Sequence, residues 1–477
     1  MELQIPLRGT RDLTKQIYQG MRTAILDGRL QKGEQLPATR ELAAQLAVSR
    51  KTVTSVYDLL MSEGFLEGRH GSGTYVSDHI PVAHTSSSAA CATTPLRMKP
   101  FWERAVRLPL PMESGARYDF RIGAPDFSRF PVEVWPRLAV SFHGHPELQG
   151  YGPLREAIAK YVSVARAVVC GAGDVIVTNG AQQAFDLIAH VLVEPGTVVA
   201  MEDPGYPGIR WLMESHGARV MPVPVDREGI VVEQIPDAAQ LVYVTPSHQF
   251  PMGIPMSLAR RVALLEWAER HGAGIIEDDY DSEFRFEGRA LESLQNLDQA
   301  GTVLYAGTFS KVLHPGLRLG YLIPPQPLRE ALVRARLMKD WYSNVYSQIA
   351  LARFLEEGHF GRHMRRMRKL YAERRDAVQE MIRTELSEWL EPLPSVAGLH
   401  TTALMREGFT EQFVLQKAAE AGVGIGSLHR FCMREDGPQG ITFGYGGIEA
   451  QAIREGLGCL RRALRSEASS RASCPQR

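Results

Sequence analysis

The sequence has 477 residues, of which 44% are hydrophobic and 23% are charged, and its 54 basic residues are balanced by 54 acidic residues. This length is sufficient for two or three domains. The net charge of zero gives no support for broad adhesion to nucleic acid or membranes, so such a partner would have to bind a local charged patch. Its first residues do not show a basic segment followed by an apolar one, and no apolar run reaches membrane-spanning length. Its five cysteines form no C-x-x-C pair, so we expect a cytoplasmic protein without membrane insertion, disulfide framework or metal site.

The first 78 residues predict three helices and a two-stranded hairpin. Apolar residues at helical spacing indicate a first helix over residues 13–30. Thr39 is expected to cap a short second helix, and Ser49 to cap a third one after a tight connection. Two β-branched or aromatic runs around a glycine-rich turn then indicate a hairpin over residues 65–76. Two short helices joined this tightly are typical of a helix-turn-helix, and the hairpin adds a wing.

In this geometry the amino end of the third helix enters the major groove of DNA and the wing contacts the backbone. The residues placed there, which we expect to bind DNA, are Arg40, Ser49, Arg50, Lys51, Thr52, Arg69, His70 and Gly71. The alternative is a small helical dimerisation module, which the net charge of this segment does not exclude.

Residues 79–115 change in composition, because small polar residues and recurring prolines replace the apolar pattern. Such a segment buries too little apolar surface to offset backbone ordering, so we expect a flexible linker. At the other end of the chain, residues 467–477 are expected to be disordered.

Between them, residues 116–466 predict an α/β domain. Short β-branched runs alternate with helical patterns, which is typical of βαβ units and of a mostly parallel sheet. The predicted strands cover residues 175–178, 198–201, 241–244, 274–277 and 302–305. Because ligands of such sheets bind at the carboxyl ends of the strands, the residues that follow each strand are candidates for a site.

Lys311 follows the last of these strands, among small and hydroxyl residues, with Arg318 seven positions later. A lysine desolvated at a strand end has a lowered pKa and can hold an aldehyde covalently. Thr308 can donate a hydroxyl to phosphate, and Arg318 offers a planar charged fork. An aldehyde and a phosphate on one molecule indicate pyridoxal 5'-phosphate.

The other strand ends offer the complementary contacts. Gly180 and Ala181 open a helix whose free amides can bind an anion. Tyr206 can lie flat against a cofactor ring, and the carboxylates of residues 277–281 can keep a pyridine nitrogen protonated. Each turn alone is common, whereas four successive strand ends with complementary contacts favour one cofactor site.

The segments 33–40, 48–53 and 71–76 resemble the signature of GntR-type winged-helix repressors. The strand-end segments resemble fold-type-I pyridoxal phosphate enzymes of the aspartate aminotransferase superfamily, across roughly residues 118–465. Together the chain is similar to the MocR/GabR-type transcriptional regulators, which include regulators of vitamin B6 synthesis. This implies a winged helix followed by an α/β fold of type I with a small carboxyl-terminal α+β subdomain.

The resemblance also implies roles for residues. It assigns Lys311 to the Schiff base and Asp278 to the pyridinium nitrogen, with Asp279 as the competing partner. Tyr280 is assigned to the ring oxygen and Tyr206 to stacking on the ring. The phosphate is assigned to Gly180, Ala181, Thr308 and Arg318, and His248 and Gln249 fall where the family often places a ring-oxygen donor. The implied partners are double-stranded operator DNA, a small-molecule effector and a second copy of the chain in a homodimer.

Two positions depart from the pattern of relatives that bind amino acids. Thr442 stands where a carboxylate-binding arginine is usual, and Gly208 stands where GABA-responsive relatives have a second one. We therefore favour a regulator with at most partial transaminase chemistry, whose effector is an amine metabolite or pyridoxal phosphate itself. The alternative is an aminotransferase with a regulatory DNA-binding appendage.

The run of residues 362–369 contains Arg362, Arg365, Arg366, Arg368 and Lys369. Its helical periodicity favours a solvated helix face over a nucleic-acid contact.

Overall fold

The computed structural model describes residues 7, 9, 11–69, 71–79, 99–103, 115–139, 142–288 and 292–472, the last six of them as backbone only. The chain divides into two compact units, residues 1–97 and residues 98–477. Their boundary falls inside the segment predicted as a linker.

The amino-terminal unit packs three helices against a hairpin. Its elements are α1 (Leu13–Leu26), α2 (Thr39–Gln45), α3 (Arg50–Ser62), β1 (Leu66–Arg69) and β2 (Gly73–Val76), and the two strands pair antiparallel. Ile17, Met21 and Ile25 lie four residues apart on α1 and are buried against Val53 and Leu60 of α3. The predicted winged helix-turn-helix is therefore confirmed.

The ends of these helices follow local chemistry. Ser49 caps α3 as predicted, because its Oγ accepts the N–H of Thr52 at 3.1 Å. Thr39, in contrast, does not cap α2 but is its first helical residue. Ala38 occupies the cap position, and the Glu41 carboxylate accepts the N–H of Ala38 at 3.3 Å. The prediction for Thr39 was therefore wrong by one residue, because the helix begins at Thr39 itself and the Glu41 carboxylate bonds back to the amide of the preceding cap residue.

The second unit contains the remaining helices and strands. Its helices are α4 (Pro100–Glu103), α5 (Trp135–Leu138), α6 (Gly152–Arg166), α7 (Ala181–Leu192), α8 (Pro207–Ser215), α9 (Leu258–His271), α10 (Leu294–Leu297), α11 (Gln326–Lys339), α12 (Val345–Glu356), α13 (His359–Glu385), α14 (Glu411–Glu420) and α15 (Ala450–Ala472). Its strands are β3 (Tyr118–Asp119), β4 (Ile176–Thr178), β5 (Val198–Asp203), β6 (Arg219–Asp226), β7 (Gly229–Ile230), β8 (Leu241–Val244), β9 (Gly274–Asp279), β10 (Val303–Thr308), β11 (Gly320–Ile323), β12 (Leu390–Pro392), β13 (His400–Met405), β14 (Val423–Gly424), β15 (Gly426–Ser427) and β16 (Gly440–Gly444).

The large sheet has the strand order β4-β11-β10-β9-β8-β5-β6-β7. Strands β6, β5, β8, β9 and β10 run parallel, whereas β11 and β7 pair antiparallel with their neighbours. The central strands are buried on both faces, as helix-covered parallel strands must be. A second sheet, β12-β13-β16-β15, is antiparallel and packs with α13 and α15 into a smaller subdomain. The predicted mostly parallel sheet with a small α+β subdomain is confirmed.

The last helix differs from the sequence-based expectation. Disorder was predicted from residue 467, whereas α15 continues as a helix to Ala472. Residues 467–472 contain neither glycine nor proline, so no residue there interrupts the helix that begins at Ala450. Within the described residues, no helix is both long enough and apolar enough to cross a membrane.

Candidate functional site

A cavity of about 430 Å³ lies at the carboxyl ends of the parallel strands of the large sheet, where these face the smaller subdomain. Its wall brings together residues from four separate strand ends that the sequence singled out: Ala181, Tyr206, Asp278, Tyr280, Thr308, Lys311 and Arg318. The topology explains this convergence, because parallel strands end at one edge of the sheet.

Lys311 is half-buried in the cavity wall, and its Nζ donates to the carbonyl of Gly123 at 2.7 Å. Burial lowers the pKa of Lys311, although the carboxylates of Asp281 and Asp278 act in the opposite direction. Gly123 has φ 76°, and a Cβ at this position would lie 2.9 Å from Nζ. The lysine can therefore approach the backbone only because residue 123 is glycine.

Asp278 lies on the floor of the cavity at the end of β9. The hydroxyl of Tyr243 donates to its Oδ2 at 2.6 Å, whereas Oδ1 is buried and has no hydrogen-bond partner among the residues described. Burial raises the pKa of Asp278 to about 7, and the Tyr243 hydrogen bond acts in the opposite direction. The carboxyl thus offers one unused acceptor to whatever occupies the cavity.

Asp279 faces the other side of the sheet. Its Oδ2 pairs with Nε of Arg166 at 2.7 Å and also accepts the hydroxyl of Tyr305. Asp279 does not line the cavity. The ambiguity that the sequence left between the two adjacent acids is therefore resolved in position, with Asp278 in the cavity and Asp279 behind it.

The turn that the sequence predicts to bind an anion lies between β4 and α7. Gly180 has φ 82° and precedes the first residue of α7, Ala181. Arg318 is exposed at the cavity edge with φ 51°, and its Nη2 donates to the carbonyl of Asn179 at 2.6 Å. Thr308 ends β10 on the same wall. Amides at a helix start and a guanidinium thus meet at one end of the cavity.

His248 and Gln249 do not line the cavity. His248 is buried beneath Tyr280, whose hydroxyl donates to the His248 carbonyl at 2.9 Å. Its Nδ1 lies 3.0 Å from a carboxylate oxygen of Asp281. Gln249 donates to the carbonyl of Pro204 at 2.9 Å. These side chains support Tyr280 and the neighbouring loop from behind, instead of facing a ligand as the sequence suggested.

The same region contains a grouping that the sequence analysis did not expect. Ligand-type atoms of His248, Asp281 and His400 lie within 4.8 Å of one another, and all three residues are buried. His400 Nε2 faces the carbonyl of Pro251 at 3.1 Å. Hydrogen bonding accounts for His248 Nδ1, which faces Asp281, and for His400 Nε2, whereas His248 Nε2 is buried without a partner among the described residues.

Thr442, on β16, is fully buried at the cavity wall, and its Oγ1 has no hydrogen-bond partner within the described part of the chain. A Cβ on Gly426 would lie 2.4 Å from this hydroxyl. At Gly208, a Cβ would lie 2.6 Å from Cζ of Tyr206. The two positions where relatives carry arginine are thus closely packed around small residues.

Several residues of the cavity were missed by sequence reasoning. Tyr243 lies inside β8, and His400 comes from β13, 89 residues after Lys311 in the sequence. Arg121 and Arg430 also line the cavity, Arg121 paired with Asp119 at 2.9 Å and Arg430 exposed. No local pattern marks these residues, because only the tertiary fold brings them to the sheet edge.

In the amino-terminal unit, Arg40, Arg50 and Lys51 are exposed at the starts of α2 and α3. The hydroxyls of Ser49 and Thr52 lie 2.8 Å apart at the same helix start. On the wing, Arg69 pairs with Glu67 at 2.8 Å and Asp78 at 3.4 Å, so its charge is partly matched within the unit. Gly71 forms the exposed wing turn with φ 74°. His70 lies outside the described residues.

Comparisons with known proteins agree with both units. Residues 13–76 match the bacterial regulatory proteins of the gntR family, and residues 128–425 match the class I and II aminotransferases. Kynurenine aminotransferase of Pyrococcus horikoshii superposes with a TM-score of 0.69 at 26% identity, over 80% of this chain and 97% of that one. LysN of Thermus thermophilus, solved with N-(5'-phosphopyridoxyl)-L-leucine, superposes with a TM-score of 0.67 at 26% identity, over 75% and 94%. The fold thus defines a regulator in which a winged helix precedes an aminotransferase-like domain.

Relatives of the same two-part organisation extend over nearly the whole chain. The probable rhizopine catabolism regulatory protein MocR of Rhizobium meliloti is 38% identical over 96% of this chain and 94% of its own length. The pyridoxine biosynthesis regulator PdxR of Corynebacterium glutamicum is 31% identical, over 92% and 93%. The regulator TauR of Rhodobacter capsulatus is 33% identical, over 96% and 97%. The chain therefore belongs to the MocR-type transcriptional regulators of the GntR family.

The buried carboxyl of Asp278 predicts a pH-dependent stability in the ligand-free protein. Its pKa is raised from 3.8 to about 7, so the folded chain binds a proton that the unfolded chain releases, and the carboxyl destabilises the fold increasingly as the pH rises from 4 to 7. We expect Asp278→Asn to have a higher free energy of unfolding than the wild type. The difference should grow from pH 4 to pH 7, reach about 2–4 kcal/mol, and stay constant at higher pH.

Urea unfolding at a series of pH values measures this difference. Asp237→Asn is the control, because the Asp237 side chain is 95% exposed. A difference between Asp278→Asn and the wild type that stays the same from pH 4 to pH 8 would contradict the titration of this buried carboxyl.

Proposed function

We propose that the carboxyl-terminal unit binds pyridoxal 5'-phosphate in the cavity around Lys311 and senses a small-molecule effector there. In the same proposal, the amino-terminal unit binds double-stranded operator DNA, and the protein acts as a cytoplasmic homodimer. One observation carries the proposal: Lys311 and Asp278 line the same cavity, and Oδ1 of Asp278 is an acceptor without a hydrogen-bond partner among the described residues.

The residues present fit this cofactor. A protonated ring nitrogen is the donor that the buried Oδ1 of Asp278 lacks, and such a contact would offset the cost of burying the carboxylate. The amides at the start of α7 and the guanidinium of Arg318 suit a phosphate at the other end of the cavity. The cavity therefore offers an acceptor for the ring nitrogen at one end and donors for the phosphate at the other.

Each side chain has a defined task in this proposal. Lys311 Nζ holds the aldehyde covalently, and Asp278 holds the ring nitrogen. Tyr280 binds the ring oxygen, supported from behind by His248 and Asp281. Tyr206 packs over the ring, and the phosphate is bound by Gly180, Ala181, Thr308 and Arg318. When bound, the cofactor supplies a carbonyl that reacts with amines and a ring that withdraws electrons.

The effector is either an amine-bearing metabolite or pyridoxal phosphate itself. Among the relatives, one is named for pyridoxine biosynthesis and another for rhizopine catabolism. Thr442 and Gly208 leave a carboxylate without the bidentate partner that amino-acid-binding relatives use, a loss of about 1.5–3 kcal/mol for a charge-assisted bond. This favours recognition of an amine by other groups and slow or absent transamination.

Binding of an effector regulates DNA binding only if it favours one arrangement of the dimer over another. Two winged helices on a two-fold body suit repeated half-sites separated by whole turns of DNA. In each winged helix the proposed reader surface comprises Arg40, Ser49, Arg50, Lys51, Thr52, Arg69, His70 and Gly71.

Lys311→Ala should abolish covalent attachment of the cofactor. We expect wild-type protein incubated with pyridoxal phosphate to show a visible absorption band, and borohydride to fix the cofactor on the peptide that contains Lys311. Lys339→Ala is the control, since Lys339 pairs with Asp186 at 2.8 Å outside the cavity. Peptide mass spectrometry decides the matter, and a covalent adduct that persists in Lys311→Ala would sink the assignment.

Arg50→Ala should weaken operator binding by about 5- to 150-fold, the effect of losing one base or phosphate contact worth roughly 1–3 kcal/mol. Fluorescence anisotropy with the upstream DNA region measures the affinity, and the visible spectrum should be unchanged. Lys15→Ala, on α1, serves as the control. Equal affinities of the wild type and Arg50→Ala would show that another surface reads the DNA.

Transamination by the purified protein should be slow, because a misplacement of even about 1 Å at the reacting centre can cost roughly 10²-fold in rate. Steady-state assays with a panel of amino acids and keto acids test this expectation. Sustained turnover of about 1 s⁻¹ or more would favour the alternative, an aminotransferase with a DNA-binding appendage.

A further inference from the structure

A second cavity, of about 620 Å³, lies in the carboxyl-terminal unit and shares no lining residue with the first. It is bounded by the end of α6, the start of α13 and the segment 282–288 that follows β9. Five basic side chains line it: Arg166, and four others, Lys160, Arg285, Arg365 and Arg368. Two of these belong to the basic run that the sequence analysis interpreted as a solvated face.

The charges of these last four side chains are not matched by ion pairs among the described residues, although the carboxylate of Glu287 acts electrostatically on Arg285. None of the four forms an ion pair with a carboxylate of the described residues. Arg368 Nε donates to the backbone carbonyl of Glu283 at 2.6 Å, whereas Nε of Arg285 is buried and has no acceptor among the same residues. A buried guanidinium nitrogen without an acceptor is costly, so the site is incomplete without an added one.

The positive charge of a neighbouring arginine further favours the binding of an anion in this cavity. Arg166 also lines this cavity, and its guanidinium pairs with Asp279 on the sheet side. Burial lowers the pKa of Arg285, and the positive charge of Arg166 lowers it further. The single carboxylate of Asp279 thus faces only one of these two guanidinium groups.

The acidic residues of the cavity do not cancel this charge. Glu283 accepts the hydroxyl of Tyr161 at 2.5 Å, and burial raises the pKa of Glu283 to about 7, so it is largely protonated below neutral pH. Glu356 is exposed at the rim. Ser282 adds a buried hydroxyl that has no partner within the described chain. Basic groups and a hydroxyl together form a donor set for a compact, multiply charged oxyanion, and the Glu283 carboxyl opposes such an ion least below neutral pH.

We propose that this second cavity binds a phosphate group, either free phosphate or the phosphate of a small monoester. Arg285 is its central contact, with Ser282 beside it and Arg365 and Arg368 at the entrance. The polar atoms of Arg285 and Ser282 that lack partners are fully buried, so a compact ion reaches them more readily than the backbone of a DNA duplex does. Arg166 connects the site to Asp279, which is adjacent to Asp278 of the first cavity.

Isothermal titration calorimetry of the full-length, cofactor-loaded protein with inorganic phosphate and with glycerol 3-phosphate tests this proposal. Arg285→Gln and, separately, Arg365→Gln should weaken binding, the first by about tenfold or more, as expected for one charge-assisted hydrogen bond. Lys369→Gln is the matched control, because Lys369 is exposed on the same helix and does not line the cavity. The visible absorption band of the bound cofactor is recorded for every variant, because a filled first cavity leaves no phosphate site there for the probe.

Unchanged binding in Lys369→Gln, with weaker binding in both cavity variants and an unchanged cofactor band, would support the site. Tighter binding of glycerol 3-phosphate would then assign it to a monoester, and tighter binding of inorganic phosphate to the free ion. Unchanged binding in both Arg285→Gln and Arg365→Gln would overturn the proposal, as would absence of binding at millimolar phosphate. A defect of the cavity variants in operator affinity alone would assign the surface to DNA instead. Since Arg365 is exposed, its variant keeps the test valid if Arg285→Gln fails to fold.

Discussion

The alternation of side chains along β9 is the constraint on which the rest of the carboxyl-terminal unit depends. Successive residues of a strand face opposite sides of the sheet, so Asp278 enters the first cavity while Asp279 pairs with Arg166 behind it. The buried ion pair fixes the strand in register, and Tyr243 on the neighbouring strand fixes the Asp278 carboxyl. If β9 shifted by one residue, Asp278 and Asp279 would exchange sides of the sheet. The carboxylate that pairs with Arg166 would then face the first cavity, away from its guanidinium.

Membership of a regulator family and an aminotransferase-like fold place different demands on the same cavity. An enzyme must hold a substrate for many turnovers, whereas a sensor needs only an affinity that differs between two states. Thr442 lines the same cavity as Lys311, and a side chain at position 208 would meet the ring of Tyr206, which also lines it. In the proposed sensor, Lys311 is kept and the two positions expected to hold a carboxylate carry small residues.

Much of the fold could be predicted from local patterns. The β-branched runs marked five strands of the large sheet correctly, and Ser49 marked the start of α3, because strand burial and helix capping are local in sequence. Lys311, Asp278 and Arg318 could be placed at strand ends for the same reason. Tyr243, His400 and Gly123 could not, since they reach the cavity from distant segments whose own sequence is ordinary. The sequence analysis placed His248 at the ligand, whereas in the structure it lies behind Tyr280. Sequence position does not reveal which side chain faces a ligand and which one supports its neighbour.

The buried acids of this unit have a consequence beyond the two cavities. Burial raises the pKa values of Glu202, Glu277, Asp278 and Glu283 to about 7 each. All four carboxyls favour the protonated form more in the fold than in the unfolded chain, so each one destabilises the fold increasingly as the pH rises toward 7. We therefore expect the stability of this unit to fall with rising pH through several buried carboxyls together.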